Sequence, residues 1–129
     1  MNRTSLKILL LPRWYPNRLD PQLGVFIQKH ARAIARLHEV KVFHAMSDKD
    51  TNTYIEEVIE RNGELTEHLY YFRPGNGLFK TIVNGWRYWM CWRMFRRHTR
   101  LFCKNGFQPD ISHAYIVIRT ALIARWLRL

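Results

Sequence analysis

Six residues near the amino terminus, Leu6 to Leu11 (LKILLL), are almost all apolar, and Pro12 stops them. A continuous apolar run of that length suits a strand buried on both faces and is too short for a core helix. From Gly24 the spacing changes. Phe26, Ile27, Ala31, Ile34, Ala35 and Leu37 recur at helical intervals, while Gln28, Lys29, Arg32 and Arg36 take the opposite face. In EVKVFHA, Val40 and Val42 then alternate with charged residues, as in a second strand. Strand, loop, helix and strand in about forty residues form one βαβ unit, whose crossover should be right-handed. The fold class expected is α/β, with a parallel sheet.

The rest of the chain extends that pattern. Ser47 to Thr53 is a polar loop. Tyr54 to Arg61 fits either a helical turn or a strand. Asn62-Gly63, with Leu69-Tyr70-Tyr71-Phe72 beyond it, favours a β-hairpin. Lys80 to Asn105 reads as one long helix, broken in pattern only by Gly85, with Gly106 as its C-cap. Ile111 to Val117 is strand-like, and Arg119 to Leu129 begins another helix. A chain of 129 residues suits a single domain with a real core. Its last helical pattern has no strand after it and a wide apolar face. Both features suggest a domain cut short.

Charge is divided unevenly. Residues 1–67 carry ten Lys/Arg against nine Asp/Glu, whereas residues 68–129 carry eleven Lys/Arg and one acid, Asp110. The net charge of +11 therefore belongs to the second half and calls for an anionic partner: nucleic acid, anionic lipid or phosphate. Cys91 and Cys103, twelve residues apart on one helix, would lie about 18 Å apart, too far for a disulfide. Reduced thiols in a cytoplasmic protein are expected. No secretory signal or membrane-spanning window is visible, and no residue cluster has metal-ligand spacing.

In an open parallel sheet, ligands bind beyond the carboxyl ends of the strands. The segment Pro12 to Gly24 leaves the first strand at that edge. Its Arg13 suits a phosphate, and the rings of Trp14 and Tyr15 suit a sugar face. Gly24, just before the first helix, either makes a turn or lets an anion approach the helix amino terminus. The dinucleotide fingerprint GxGxxG is absent.

The stretch KILLLPRWYPNRLDPQLGVFIQKHARAIARLHEVKVF resembles the opening of the bacterial family-4 GT-B glycosyltransferases, and PDISHAY resembles that family's P-D-I-[IV]-H-A-H segment. The resemblance covers most of residues 6–124, with a weakly matched middle. It implies a Rossmann-like domain that forms the acceptor-binding half of a GT-B fold, with a β-hairpin insertion. A separate carboxy-terminal donor domain would be missing, so residues 1–129 alone should not catalyse transfer. It further implies a retaining, metal-independent reaction without a cofactor. A nucleotide-sugar would be the donor, and a cell-surface polysaccharide or glycolipid the acceptor. By position, Gly24 corresponds to the loop glycine near the donor phosphates. His113 corresponds to the first histidine of H-A-H, a candidate catalytic residue, although a strand-end histidine is also commonly structural. The second histidine, near the donor sugar in relatives, is Tyr115 here, which cannot titrate near neutral pH as histidine does.

The segment Gly77 to Phe107 is basic and aromatic throughout. Arg93, Arg97, Arg100 and Lys104 would line one helical face, beside an apolar stripe of Tyr88, Cys91, Trp92, Phe95 and Phe102, with Trp86 and Trp89 earlier. Three readings compete. The helix is a core element with a solvated basic face, an interfacial helix on an anionic membrane, or a nucleic-acid binder. The last ranks lowest because no helix-turn-helix, RNA-binding or finger pattern accompanies the charge. A non-catalytic module on an anionic membrane surface is the main alternative to the transferase. Either role is expected in the cytoplasm, peripheral to the inner face of the cell membrane.

Overall fold

The computed structural model of the chain describes residues 4–115. The continuation of the last strand to Val117 and the helix expected from Arg119 to Leu129 lie outside those residues. Strand β1 (Lys7–Pro12) leads through a loop to helix α1 (Val25–Ile34), then to β2 (Glu39–Ser47). Strands β3 (Ile55–Asn62) and β4 (Leu65–Phe72) follow. A 3-10 turn at Gly77–Phe79 opens helix α2 (Lys80–Thr99), and β5 (Ile111–Tyr115) closes the described chain.

The five strands form one mixed sheet in the order β3-β4-β2-β1-β5. β4, β2, β1 and β5 are parallel; β3 runs antiparallel along the edge of β4. The chain steps outward from β1 to β2 and β4, then reverses to place β5 on the other side of β1. This arrangement is compatible with a Rossmann-like α/β fold. The hairpin is part of the sheet rather than an excursion from it, because β4 pairs with β2 over Val40↔Leu65 to Ser47↔Phe72. Gly63 turns the hairpin at φ +62°, a backbone region closed to most side chains.

The apolar run of β1 is explained by burial on both faces. Ile8 and Leu10 join α1 residues Ile27 and Ala31 in one core. Leu9 and Leu11 join α2 residues Cys91, Trp92 and Phe95 in the other. Not every residue expected on the apolar face of α1 is used there, since Phe26 and Leu37 are exposed.

Helix α2 ends six residues earlier than its sequence pattern suggests. Arg100 takes the left-handed conformation at φ 50°, and Phe102 also has positive φ, at 63°. The chain turns there because Leu101 and Phe107 are buried against the α2 side of the sheet. Gly106 is therefore not the C-cap. It packs against Arg100, where a Cβ would lie 1.8 Å from the carbonyl oxygen. Phe102, Cys103 and Lys104 fall off the helix, so Phe102 leaves the apolar stripe and is exposed. Cys91 and Cys103 are both free, Cys91 buried and Cys103 exposed.

Candidate functional site

A cleft of about 300 Å³ opens at the carboxyl ends of β1, β2 and β4. Pro12, Arg13 and Trp14 bound it on one side, Ser47 and Phe72 at the strand ends, and Asn84 and Tyr88 of α2 on the other. The Arg13 guanidinium lies 5.8 Å from the centre of the Trp14 ring, which is 41% exposed. The cleft thus presents a cation, an exposed indole and a phenol ring. Asn84 anchors its wall by accepting the Gly75 N–H through Oδ1 at 2.8 Å.

The remainder of the loop serves the fold. Tyr15 does not line the cleft: it is fully buried on the α1 side, and its hydroxyl donates to Glu67 Oε2. Gln28 Nε2 donates to the same oxygen at 3.0 Å. Burial, reinforced by the Glu67 carboxylate, pushes the Tyr15 hydroxyl well above its ordinary pKa. Asn17 accepts the N–H groups of Leu19 and Asp20, each at 2.9 Å, and so holds the next turn. Arg18 pairs with Asp48 at 2.7 Å and Glu56 at 2.8 Å while its guanidinium sits 3.9 Å over the Tyr71 ring. A backbone N–H from Asp50, then Arg18, hold Asp48 below the ordinary carboxylate range; Arg18 does the same for Glu56.

Gly24 has a steric reason to be glycine. Its φ is +66°, and a Cβ there would stand 2.5 Å from the Trp14 carbonyl oxygen. The helix begins on this residue, with Ile27 N–H donating to the Gly24 carbonyl at 2.9 Å. Gly24 lies beneath Trp14 rather than in the cleft lining.

The β5 residues stand one strand away. His113 pairs in register with Leu10 and is exposed, outside the cleft lining; Tyr115 pairs with Pro12 at the carboxyl edge. Arg13 and Trp14 are thus brought together at the cleft, Tyr115 shares its sheet edge, and Tyr15, Gly24 and His113 stand apart from it.

Sequence reasoning missed His44, which borders the cleft and is buried. Its Nδ1 lies 3.3 Å from the Pro12 carbonyl oxygen, and burial holds its pKa down to about 4, so the ring is neutral. The alternation of Val40, Val42 and His44 in EVKVFHA carried the signal for its burial. No family model, curated protein or solved structure matches this chain. Among the described residues, no group of three His, Cys, Asp or Glu side chains comes together to hold a metal.

The outward face of α2 is the second candidate region. Trp86 and Trp89 stack with centroids 5.2 Å apart, and Arg93 lies 5.6 Å from the Trp89 ring. Leu78, Phe79 and Ile82 add to them a row of large apolar side chains exposed by 43% (Trp89) to 99% (Leu78). Sequence reasoning found the two tryptophans and missed the other three. The basic row expected along the helix stops at Arg97, since Arg100 caps the helix and Lys104 lies in the following turn. Among the described residues, no helix is long and apolar enough to cross a membrane.

Proposed function

We propose that this chain is the acceptor-side half of a retaining GT-B-type glycosyltransferase acting in cell-surface polysaccharide or glycolipid assembly. The observation that carries this reading is the meeting of two distant sequence segments at one sheet edge. The loop after β1 and the PDISHAY segment belong to adjacent parallel strands, with Pro12 opposite Tyr115, beside a cleft opened by Arg13 and Trp14. Lys7 N–H donates to Asp110 Oδ2 at 2.8 Å, which ties the start of the second segment to the first strand.

In this reading the acceptor occupies the cleft. Arg13 pairs with its phosphate or other anionic group, and the Trp14 indole covers a sugar ring. A hydroxyl of the acceptor attacks the anomeric carbon of a nucleotide-sugar; the nucleoside diphosphate departs, and configuration is retained. The β5 edge, with His113 and Tyr115, faces the donor sugar. The donor's nucleotide is held by a second domain, without which these residues do not turn over. Binding by this chain is therefore the direct test. In 15N-labelled protein, phosphorylated hexoses and oligosaccharides should shift resonances of residues 12–14, 45–47 and 84–88. Arg13→Ala should abolish the response to phosphorylated ligands. A saccharide panel that shifts none of these resonances removes the reading.

The exposed row Leu78, Phe79, Ile82, Trp86 and Trp89 favours a second reading, attachment of α2 to an anionic membrane surface on the cytoplasmic side. Indole rings suit the interface, and each nearby Lys or Arg adds on the order of 1 kcal/mol on anionic lipid. Sedimentation with phosphatidylglycerol vesicles, lost in Trp86→Ser/Trp89→Ser, supports it; equal sedimentation of both proteins opposes it.

A further inference from the structure

A separate cavity of about 390 Å³ lies at the end of α2, lined by Arg93, Arg96, Arg97, Leu101 and Cys103. Its walls are fixed by the fold. Leu101 N–H donates to the Arg96 carbonyl at 3.1 Å, Phe107 N–H to the Thr99 carbonyl at 3.0 Å, and Phe102 N–H to the Phe107 carbonyl at 3.0 Å. Leu101 and Phe107 anchor this closed turn in the core, and Gly106 seats directly on the Arg100 backbone. The pocket is thus a product of the early helix stop, and the sequence pattern alone, read as a helix to Asn105, could not show it.

Three guanidinium groups meet there. Arg93 and Arg97 are one helical turn apart, a like-charge spacing that is unfavourable in an isolated helix. Among the described residues, the ion pairs are made by Arg18 and His98, and none involves Arg93 or Arg97. The negative end of the helix dipole favours cations in the last turn, but it acts within that turn and leaves Arg93 unexplained. A bound anion relieves the repulsion among all three. Guanidinium forks match the oxygens of a phosphate in geometry as well as charge.

We propose that the Arg93–Arg96–Arg97 pocket binds a phosphate group, either of a small soluble phosphate compound or of a phospholipid headgroup. This site is distinct from the β-strand cleft and stands whether or not the chain takes part in glycosyl transfer. Cys103 supplies a probe inside the pocket. It is exposed, whereas Cys91 is buried with its thiol pushed up to about 12 by that burial.

The test is the rate of Cys103 alkylation by iodoacetamide in the 129-residue chain, read by intact mass at fixed pH and ionic strength. Inorganic pyrophosphate should slow alkylation in a saturable way. Arg93→Gln and Arg97→Gln, both exposed positions, should each weaken that protection roughly tenfold or more, and the double variant should lose it. Phosphatidylglycerol and phosphatidylcholine vesicles form the second arm. Protection by phosphatidylglycerol alone, without pyrophosphate protection, assigns the headgroup as the source; protection by pyrophosphate assigns a soluble phosphate. Absence of protection in both arms overturns the proposal. So does protection that persists unchanged in the double variant, provided its thermal melt matches that of the parent protein.

Discussion

The loop after β1 and the outward face of α2 are built from similar residues and are used in opposite ways. Both are dense in aromatic and basic side chains. In the loop, Tyr15, Asn17 and Arg18 each find partners inside the chain: Glu67, two backbone N–H groups, and Asp48 with Glu56. On α2, Trp86 and Trp89 stack on each other, and Leu78, Phe79 and Ile82 beside them remain exposed. Aromatic density is thus no guide to a site by itself. What separates the two regions is whether the fold already consumes the interaction. The loop contributes Arg13 and Trp14 to a cleft and spends the rest on holding its own shape.

The comparison breaks first at Tyr15. Removing a fully buried ring and leaving Glu67 without its phenol partner should cost about 3–5 kcal/mol in Tyr15→Ala. Urea unfolding reads this directly. A loss under about 1 kcal/mol would mean that the loop is held by Arg18 and Asn17 instead.

Acid comes next, because each side of the sheet buries one neutral histidine. His44 lies beside Tyr15 and the Pro12 carbonyl, with a pKa held to about 4 by burial. His68 lies against Phe95 and His98, with a pKa held to about 3 by burial, then by Lys41 and His98. Both folded values lie below the unfolded value of about 6.5, so the unfolded chain binds protons first. The penalty is absent above about pH 6.5 and grows as pH falls, reaching about 2 kcal/mol per histidine near pH 5. It levels off below the folded values. His44→Gln and His68→Gln should each remove about half of that slope between pH 6.5 and pH 4.5. A melting temperature flat across the range would mean that neither ring is kept neutral by the fold.

Two glycines with nearly the same backbone angle separate conformation from contact. Gly63 has φ +62° with open space around it, and Gly24 has φ +66° with the Trp14 carbonyl in the way. Gly63→Ala should cost about 1 kcal/mol, from the left-handed backbone alone. Gly24→Ala should cost roughly 2–4 kcal/mol, because the backbone of the loop must also move. Equal losses would show that the loop yields freely over Gly24.

The βαβ opening was legible because period and length change together at Gly24, and the hairpin because Asn62-Gly63 marks a tight turn between strand-like runs. The end of α2 was not legible. A non-glycine residue in the left-handed region, Arg100, stops the helix, and burial of Leu101 and Phe107 decides it rather than local propensity. The role of Tyr15 was hidden for a related reason, since its partner Glu67 is far away in the chain. For α2, apolar residues on several sides left the sheet-facing side undetermined by spacing. The structure assigns Tyr88, Trp92 and Phe95 to the sheet and leaves Trp86 and Trp89 outside.

The smallest effect on stability is expected where the exposed apolar area is greatest. Serine has nearly the helix propensity of tryptophan, so Trp86→Ser and Trp89→Ser test packing alone. With no core contact to lose, each should change unfolding free energy by less than about 0.5 kcal/mol. Set beside the loss at Tyr15, that near-zero value would show that these indoles do not stabilise the isolated fold, so that their use lies in an encounter with something else. A loss of several kcal/mol that grows with protein concentration would give the face a different occupant, a second copy of the chain, because only association makes stability depend on concentration in that way.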